Sequence, residues 1–270
     1  MKKTIYPILA FSGLLAMSCS NDTETGVAGD TRLVVDLGTD LSFSTSGEPA
    51  PAKRAIDESA YTDIRNYTVT LTKTANGEQV HTALYSEWAL AYQVEPGIEY
   101  TLTASYGEEA PASYDNLLVS GSETFSVQSG ATKVVDFQCK PKAAKVNVVY
   151  SSDFTDFYSD CEVSIQTKYM DEAMTMSMAN VGQDLYLKAD AEGEEVTLTF
   201  NVKDKNGDPI AVDGLTTTRT VIVTPQTLLK LTFKPDVTEI EGGKFGLDIT
   251  VDTGVTEENV DIVIPNTVFE

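Results

Sequence analysis

The chain has 270 residues, of which 41% are hydrophobic and 22% are charged. This composition supports packed cores and up to two domains of ordinary size, and it excludes a disordered chain. The 41 acidic and 19 basic residues give a net charge of −22, which disfavours binding to nucleic acid because phosphate backbones are repelled.

The first 18 residues have the features of a secretory signal peptide. Lys2 and Lys3 precede an apolar run over residues 5–15, and small residues follow it. This run is too short to span a membrane, which takes about 20 apolar residues. Residues 16–19, Ala-Met-Ser-Cys, resemble the bacterial lipobox. The resemblance implies that Cys19 receives a lipid after cleavage; the alternative is an ordinary secretory signal with an incidental cysteine.

Residues 19–31 are polar and predict a flexible tether. The acidic start over residues 20–24 resembles the signal that sends Bacteroidales lipoproteins to the outside of the cell, although a solvated tether explains it too. Removal of Lys2 and Lys3 with the signal leaves 17 basic against 41 acidic residues, a net charge of −24. An anionic membrane face repels this charge, so the acyl chains must carry the anchoring.

Residues 32–140 predict a first β-sandwich. Apolar and polar residues alternate in short runs, which is the period of half-buried strands, and Asn76-Gly77 is typical of a hairpin turn. Strands at intervals of about ten residues favour an antiparallel sandwich of the transthyretin or immunoglobulin type. The predicted strands cover residues 33–38, 67–72, 79–85, 89–94, 100–106, 125–127 and 134–139, and residues 57–64 allow one helical turn at most.

Residues 141–270 predict a second sandwich, because strand patterns of the first unit recur about 95 residues later, which is the size of one small β-sandwich. A proline at 141 interrupts the strand pattern and marks the boundary. The matched pairs are Val69 with Val163, Leu71 with Ile165, Val135 with Leu229, Phe137 with Leu231 and Cys139 with Phe233 at an offset of 94, and Leu102 with Leu198 at an offset of 96.

The second unit has its own series of strand patterns. Two further patterns, over residues 245–251 and 260–264, follow Pro235. These two either complete the second sandwich or are kept for another molecule. The other predicted strands cover residues 145–150, 162–169, 174–178, 185–189, 196–202, 219–223 and 228–233.

Three cysteines and one histidine limit the chemistry of the chain. With Cys19 assigned to the lipid, Cys139 and Cys161 remain either as a disulfide or as two small core residues, the interpretation their strand positions favour. A zinc site needs several Cys or His ligands, and the sequence has no phosphate-binding loop and no nucleophile elbow. We therefore expect no metal, no cofactor and no enzymatic activity.

Aromatic residues are concentrated in the middle of the first unit. Trp88, Tyr92, Tyr106 and Tyr114 lie within thirty residues of one another in the sequence. Such residues fill sandwich cores, and they also form the flat platforms that bind sugars. Both interpretations stay open from the sequence.

These features together resemble the fimbrillin-like lipoproteins of Bacteroidales, with their lipobox, polar tether and two transthyretin-like units. They also resemble an uncharacterised Bacteroidales surface lipoprotein family. The residues that carry this second resemblance are Pro96-Gly97-x-x-Tyr100-x-Leu102-x-Ala104-Ser105-x-Gly107 and the junction Cys139-Lys140-Pro141.

The resemblance to the fimbrillin-like lipoproteins implies a subunit or accessory protein of surface pili. In that family a protease cuts after a basic residue behind the first strand, the strand is lost, and a neighbouring subunit donates a strand in its place. Arg54 is the candidate for the cut, and residues 260–269 are the candidate donor. Alternatively, Arg54 is merely solvated, the tail pairs within its own domain, and the protein keeps its anchor.

We therefore expect a non-enzymatic lipoprotein of the outer membrane that faces the cell exterior and acts in pilus assembly or adhesion. Its expected partners are the membrane, through the lipid, and other pilus subunits, through strand exchange. The alternative is a surface lipoprotein that binds glycans through the aromatic residues of the first unit.

Overall fold

The structure is a computed structural model and describes residues 30–43, 56–209, 218–236, 246–252 and 257–262. Strands dominate these residues, and the α-helix α1 is a single turn at Phe154–Phe157. Within the described ranges no helix is long and apolar enough to cross a membrane. The all-β fold predicted from the sequence is confirmed. Short 3₁₀ turns lie at Glu58–Thr62, Ile64–Asn66, Tyr85–Glu87 and Met178–Asn180.

The N-terminal half contains eight strands in the described residues, seven of which form one curled sheet with the order β3-β2-β5-β7-β8-β1-β4. The strand predicted at 125–127 corresponds to the end of a longer strand, Val119–Ser126, and only Tyr92–Gln93 of the strand predicted at 89–94 is observed as a strand. The strands are β1 (Arg32–Thr39), β2 (Thr68–Lys73), β3 (Gln79–Leu84), β4 (Tyr92–Gln93), β5 (Glu99–Tyr106), β6 (Ala112–Ser113), β7 (Val119–Ser126) and β8 (Thr132–Pro141).

This sheet folds over at the junction of β7 and β8 to make the two layers of a sandwich. β7 and β8 pair only through Val119 with Pro141 and Ser120 with Lys140. A side chain at Gly121 would place its Cβ 2.4 Å from the carbonyl oxygen of Gln138. Only glycine therefore allows the two layers to meet this closely.

Apolar side chains at alternate positions of each strand fill the space between the layers. Val69 and Leu71 of β2 are fully buried, while Thr70 faces outward and shares a hydroxyl hydrogen bond of 2.9 Å with Thr82 of β3. β-branched residues suit such a half-buried pleated surface, which explains why the period-two pattern predicts these strands well.

The C-terminal half contains nine strands in the described residues. Four make the sheet β11-β10-β13-β14, and the others join the sheet β17-β16-β15-β9-β12-β6. The strands are β9 (Ala143–Tyr150), β10 (Tyr158–Gln166), β11 (Met174–Ser177), β12 (Asp184–Lys188), β13 (Glu194–Asp204), β14 (Thr218–Val223), β15 (Leu228–Asp236), β16 (Gly246–Asp252) and β17 (Glu257–Ile262).

The strand pairings of the two halves repeat. In the first half Val69 pairs with Ala104 and Leu71 with Leu102. In the second half the corresponding pairs join β10 to β13. These pairs are Val163 with Phe200 and Ile165 with Leu198.

In one respect the repeat differs from the purely antiparallel sandwich expected from the sequence. The first strand of each half runs parallel to the last: β1 to β8, and β9 to β15. Parallel neighbours require a long crossover, and here most of each half separates the two strands.

The two halves are interlocked. β8 continues into β9 with only Lys142 between them. β6, from the first half of the sequence, pairs with β12 and so ends the second sheet. A domain boundary at residue 140 stays a prediction, because the second sheet includes residues on both sides of it.

Candidate functional site

The first strand, β1, occupies a groove that we call the β1 seat. β1 pairs with β8 along its whole length, from Arg32 opposite Thr132 to Thr39 opposite Cys139. Leu33, Val35 and Leu37 point into the N-terminal core and are at least nine-tenths buried. Each such side chain contributes roughly 1.5–3 kcal/mol to folding stability when it is buried. A strand that binds in the β1 seat therefore needs apolar residues at every second position.

The other edge of β1 is covered much less. β4 pairs with it only at Arg32 and Leu33. Further along, the hydroxyl of Tyr85 donates to the carbonyl oxygen of Val35 at 3.1 Å, a side-chain substitute for a strand partner. β1 is thus held by a full ladder on one edge and by scattered bonds on the other.

Two of the four predicted aromatic residues lie beside the seat, in a cluster with the single histidine. His81 of β3 and Tyr92 of β4 stack with ring centroids 4.6 Å apart and planes 17° apart. Trp88 packs against both, at 4.7 and 5.7 Å. β3 and β4 are the first and last strands of the curled sheet, so these rings bring its two ends together. The buried indole Nε1 of Trp88 has no hydrogen-bond partner.

The other two predicted aromatic residues lie elsewhere. Tyr106 packs against Tyr61 and Tyr67 at centroid distances of 5.0 and 5.6 Å. The hydroxyl of Tyr114 donates to the carbonyl oxygen of Thr175 in the second half at 3.4 Å, and burial raises the pKa of this phenol. The four residues therefore do not form one aromatic platform.

A buried charged network, which the sequence did not predict, joins the two halves. Lys145 forms ion pairs with Glu58 and with Asp184, the latter at 3.5 Å, and the three side chains are 10%, 11% and 5% exposed. The amide of Asn147 donates to Asp184 at 2.9 Å, and the hydroxyl of Tyr186 donates to Glu58 at 2.5 Å. The sequence contains one sign of this network, because two polar residues, at 145 and 147, interrupt an apolar run.

The two cysteines of the described residues are free thiols in separate cores. Cys139 lies in the core under β1, and Cys161 in the core of the second half. The core interpretation is thereby favoured over the disulfide. Burial raises the pKa of Cys139 to about 11 and that of Cys161 to about 12.

Several predicted positions lie outside the described residues, among them Cys19, Arg54 and residues 263–269. Residues 260–262 belong to β17, which pairs antiparallel with β16 at the edge of its sheet. Among the described residues no group of His, Cys, Asp and Glu side chains is arranged to hold a metal ion.

A family described as a domain of unknown function, DUF4493, matches residues 40–266. The chain belongs to this family. The predicted resemblance to an uncharacterised family is confirmed by the match. The DUF4493 match begins directly after β1 and includes Arg54 and most of residues 260–269. No curated protein matches the sequence.

Two solved structures illustrate folds similar to this DUF4493 chain. A fimbrial assembly protein from Parabacteroides distasonis has 9% identity and a TM-score of 0.41, covering 86% of this chain and 98% of its own. A C-terminally truncated tip fimbrial protein from Porphyromonas gingivalis has 10% identity and a TM-score of 0.42, covering 82% of this chain and 99% of its own.

Proposed function

We propose that the protein is a non-enzymatic subunit or accessory protein of surface pili, anchored through Cys19 to the outer membrane and facing the cell exterior. The observation that carries the proposal is the β1 seat. Its occupant fills an apolar groove by alternate side chains, is fully paired on one edge only, and is followed in the sequence by the segment that contains Arg54.

In this proposal a protease cuts after Arg54 and β1 leaves. A strand from a neighbouring copy then enters the seat by β-augmentation, in which backbone hydrogen bonds give affinity and alternate side chains give register. The chain contains a segment that suits the seat. When Val260 is placed on Leu33, then Ile262, Ile264 and Val268 fall on Val35, Leu37 and Leu41. β17 has a strand neighbour on one edge only in the described sheet, so its release breaks one ladder.

The proposal is tested by mass spectrometry of the mature protein from its native cell. We expect two forms: a precursor that begins at acylated Cys19, and a processed form that begins at Ala55 and is enriched in the polymer. An Arg54→Ala variant should accumulate the precursor and lose polymer, whereas the control Arg65→Ala, which removes an exposed arginine elsewhere in the first half, should not. A polymer built from chains that still begin at Cys19 would overturn strand replacement.

Glycan binding is the second candidate, and the Trp88 cluster is the observation that favours it. Trp88 Nε1 is a buried donor without a partner, next to the stacked rings of His81 and Tyr92. Since Trp88 is the single tryptophan of the chain, its fluorescence reports on this site directly. Titration with host and bacterial polysaccharides should shift the emission if a sugar enters, and Tyr92→Ala should abolish the shift. An emission unchanged by every polysaccharide would exclude the cluster as the site.

A further inference from the structure

The residues that follow β1 pass from the first half of the molecule to the second, and we call residues 40–43 the clasp. The side-chain amide of Gln226, in the turn between β14 and β15, donates to the carbonyl oxygens of Asp40 at 3.4 Å and Ser42 at 3.0 Å. Lys140 of β8 adds an ion pair with Asp40 at 3.7 Å. The end of β1 is therefore tied both to the neighbouring strand and to the second half.

Gln226 holds the clasp from a strained backbone. Its φ is 67°, and no other described non-glycine residue has a positive φ. Its own N–H donates to the carbonyl oxygen of Ala143 at 3.0 Å, which fixes the turn against the start of β9. Strained conformations persist where the surrounding structure enforces them, and they cluster at functional positions. The strained residue thus serves to present its amide to the clasp.

Phe43, the last residue of the clasp, packs on the buried charged network. The Nζ of Lys145 lies 4.3 Å from the centroid of the Phe43 ring, and the Tyr186 ring lies 6.1 Å from it at 55°. Lys145 also pairs with Glu58 and Asp184, and its side chain is 10% exposed. A cation that is removed from water binds an aromatic face more strongly than an exposed one does. Phe43 therefore anchors the clasp on a site built from both halves.

The clasp differs from the other contacts that supplement the β8 ladder. β4 holds the start of β1 at Arg32 and Leu33, and Tyr85 bonds to Val35 in its middle, so both of these contacts come from the same half as β1. The clasp follows the end of the strand and depends on residues of the second half. Because it begins at the residue after Thr39, β1 cannot leave its seat completely while the clasp stays bound.

We propose that the clasp is an autoinhibitory contact that keeps the β1 seat closed after the chain is cut. This rests on the strand replacement proposed above. A cut after Arg54 leaves β1 and the clasp on the same piece, residues 19–54, so the cut by itself does not empty the seat. The piece leaves when Phe43 and the hydrogen bonds from Gln226 release. The clasp therefore sets how long the seat stays closed to a neighbouring strand.

The test uses the full mature chain without lipid, with a specific protease site in place of Lys53 and Arg54 and a fluorescent dye on Cys19. After the cut, an excess of unlabelled piece is added so that released piece does not rebind. Separation on a sizing column at timed intervals then gives the rate at which residues 19–54 leave the rest of the chain.

Replacement of Phe43 should change this release rate according to whether a ring remains. We expect Phe43→Ala to release the piece about tenfold faster, equivalent to about 1.4 kcal/mol, because the contact with Lys145 is lost. Phe43→Tyr keeps a ring and should stay within about threefold of the wild-type rate. Ile222→Ala is the matched control, because it removes an exposed apolar side chain of β14 in a different sheet and should leave the rate unchanged.

The outcomes separate the clasp from strand replacement. If Phe43→Ala stays within about twofold of the wild-type release rate, the clasp is wrong, and strand replacement stands if the cut wild-type chains polymerise. If Phe43→Ala speeds release but chains freed of the piece stay monomeric, the clasp holds β1 and strand replacement is wrong. Hydrogen exchange of the uncut Phe43→Ala chain gives an independent check. Faster exchange over residues 32–39 with unchanged exchange over 143–150 supports the clasp, and equal acceleration of both overturns it as a general loss of stability.

Discussion

The two parallel strand pairs found in the described residues share a topology and differ in how their first strand is held. β9 pairs with β15 on one edge and with β12 along residues 143–147 on the other, and it continues from β8 through Lys142 alone. β1 has β8 on one edge and two residues of β4 on the other. The same arrangement therefore produces one strand, β9, that is paired along both edges and one strand, β1, that is fully paired along one edge only.

Replacement of a basic residue on β1 and on β9 should give the largest difference in stability between the two strands. Lys145→Met in β9 leaves the buried carboxylates of Glu58 and Asp184 without their cation and should lower the free energy of unfolding by about 3–5 kcal/mol. Arg32→Met in β1 removes only an exposed pair with Asp30 and should have little effect. Urea unfolding followed by circular dichroism measures both free energies, and equal losses would show that the two cations matter equally for stability.

Hydrogen exchange compares the strands without substitution. Amides of β1 should exchange at least about 100-fold faster than amides of β9, because β1 opens locally whereas β9 opens only with its sheet. Mass spectrometry of peptides that cover residues 32–39 and 143–150 gives the two rates. Protection of β1 equal to that of β9 would mean that the strand is not separable in the intact chain.

Each parallel strand pair contributes to a core that contains one buried thiol, Cys139 with the β1–β8 pair and Cys161 with the β9–β15 pair. At pH 8 both should react slowly with a thiol reagent, because burial keeps their pKa values well above that pH. After removal of β1 the Cys139 thiol becomes exposed, and its reaction should speed up by about 100-fold as its pKa falls toward the free value. Cys161 should stay slow, and equal acceleration of both would indicate general unfolding.

The same thiols make stability depend on pH. Their folded pKa values lie above the unfolded value of about 8.5, so the unfolded state loses its protons first as the pH rises. Their contribution is fully present below about pH 8.5 and is lost as the pH approaches 11 for Cys139 and 12 for Cys161. Cys139→Ala and Cys161→Ala variants should each flatten the fall of the unfolding free energy in that window.

Gln226→Gly should have the smallest effect on overall stability. It relieves a strained backbone and removes two hydrogen bonds to the segment after β1, terms of about 1 kcal/mol each with opposite sign. The unfolding midpoint in urea should therefore hardly move, while amides of β1 exchange faster. Unchanged exchange of β1 would show that Gln226 does not hold the segment.

Much of the fold was predictable because alternation is a local property. The spacing of Val69 and Leu71 predicts both a strand and its buried face. The same spacing recurs at Val163 and Ile165, and this recurrence predicts the repeat of the fold. The direction of pairing between β1 and β8 was not predictable, since those partners are one hundred residues apart and either direction buries the same side chains.

The candidate site was predictable only in part for a similar reason. Trp88 and Tyr92 are close in the sequence and pack against each other, whereas Tyr106 and Tyr114, which are also near in the sequence, pack in different places. The network around Lys145 depends on Glu58 and Asp184, which come from distant segments. The polar pair at 145 and 147 indicates that this strand is unusual, but a buried lysine is stabilised by such distant partners, and the sequence around it does not identify them.

The parallel direction of β1 and β8 has a mechanical consequence. Tension that enters at the start of β1 and leaves through the end of β8 pulls the two strands in opposite senses along their length. Every hydrogen bond of the ladder is then loaded at once, and the pair shears instead of peeling from one end. Single-molecule stretching between residues 30 and 142 should therefore give a high rupture force, and any strand that replaces β1 in the same direction inherits that strength.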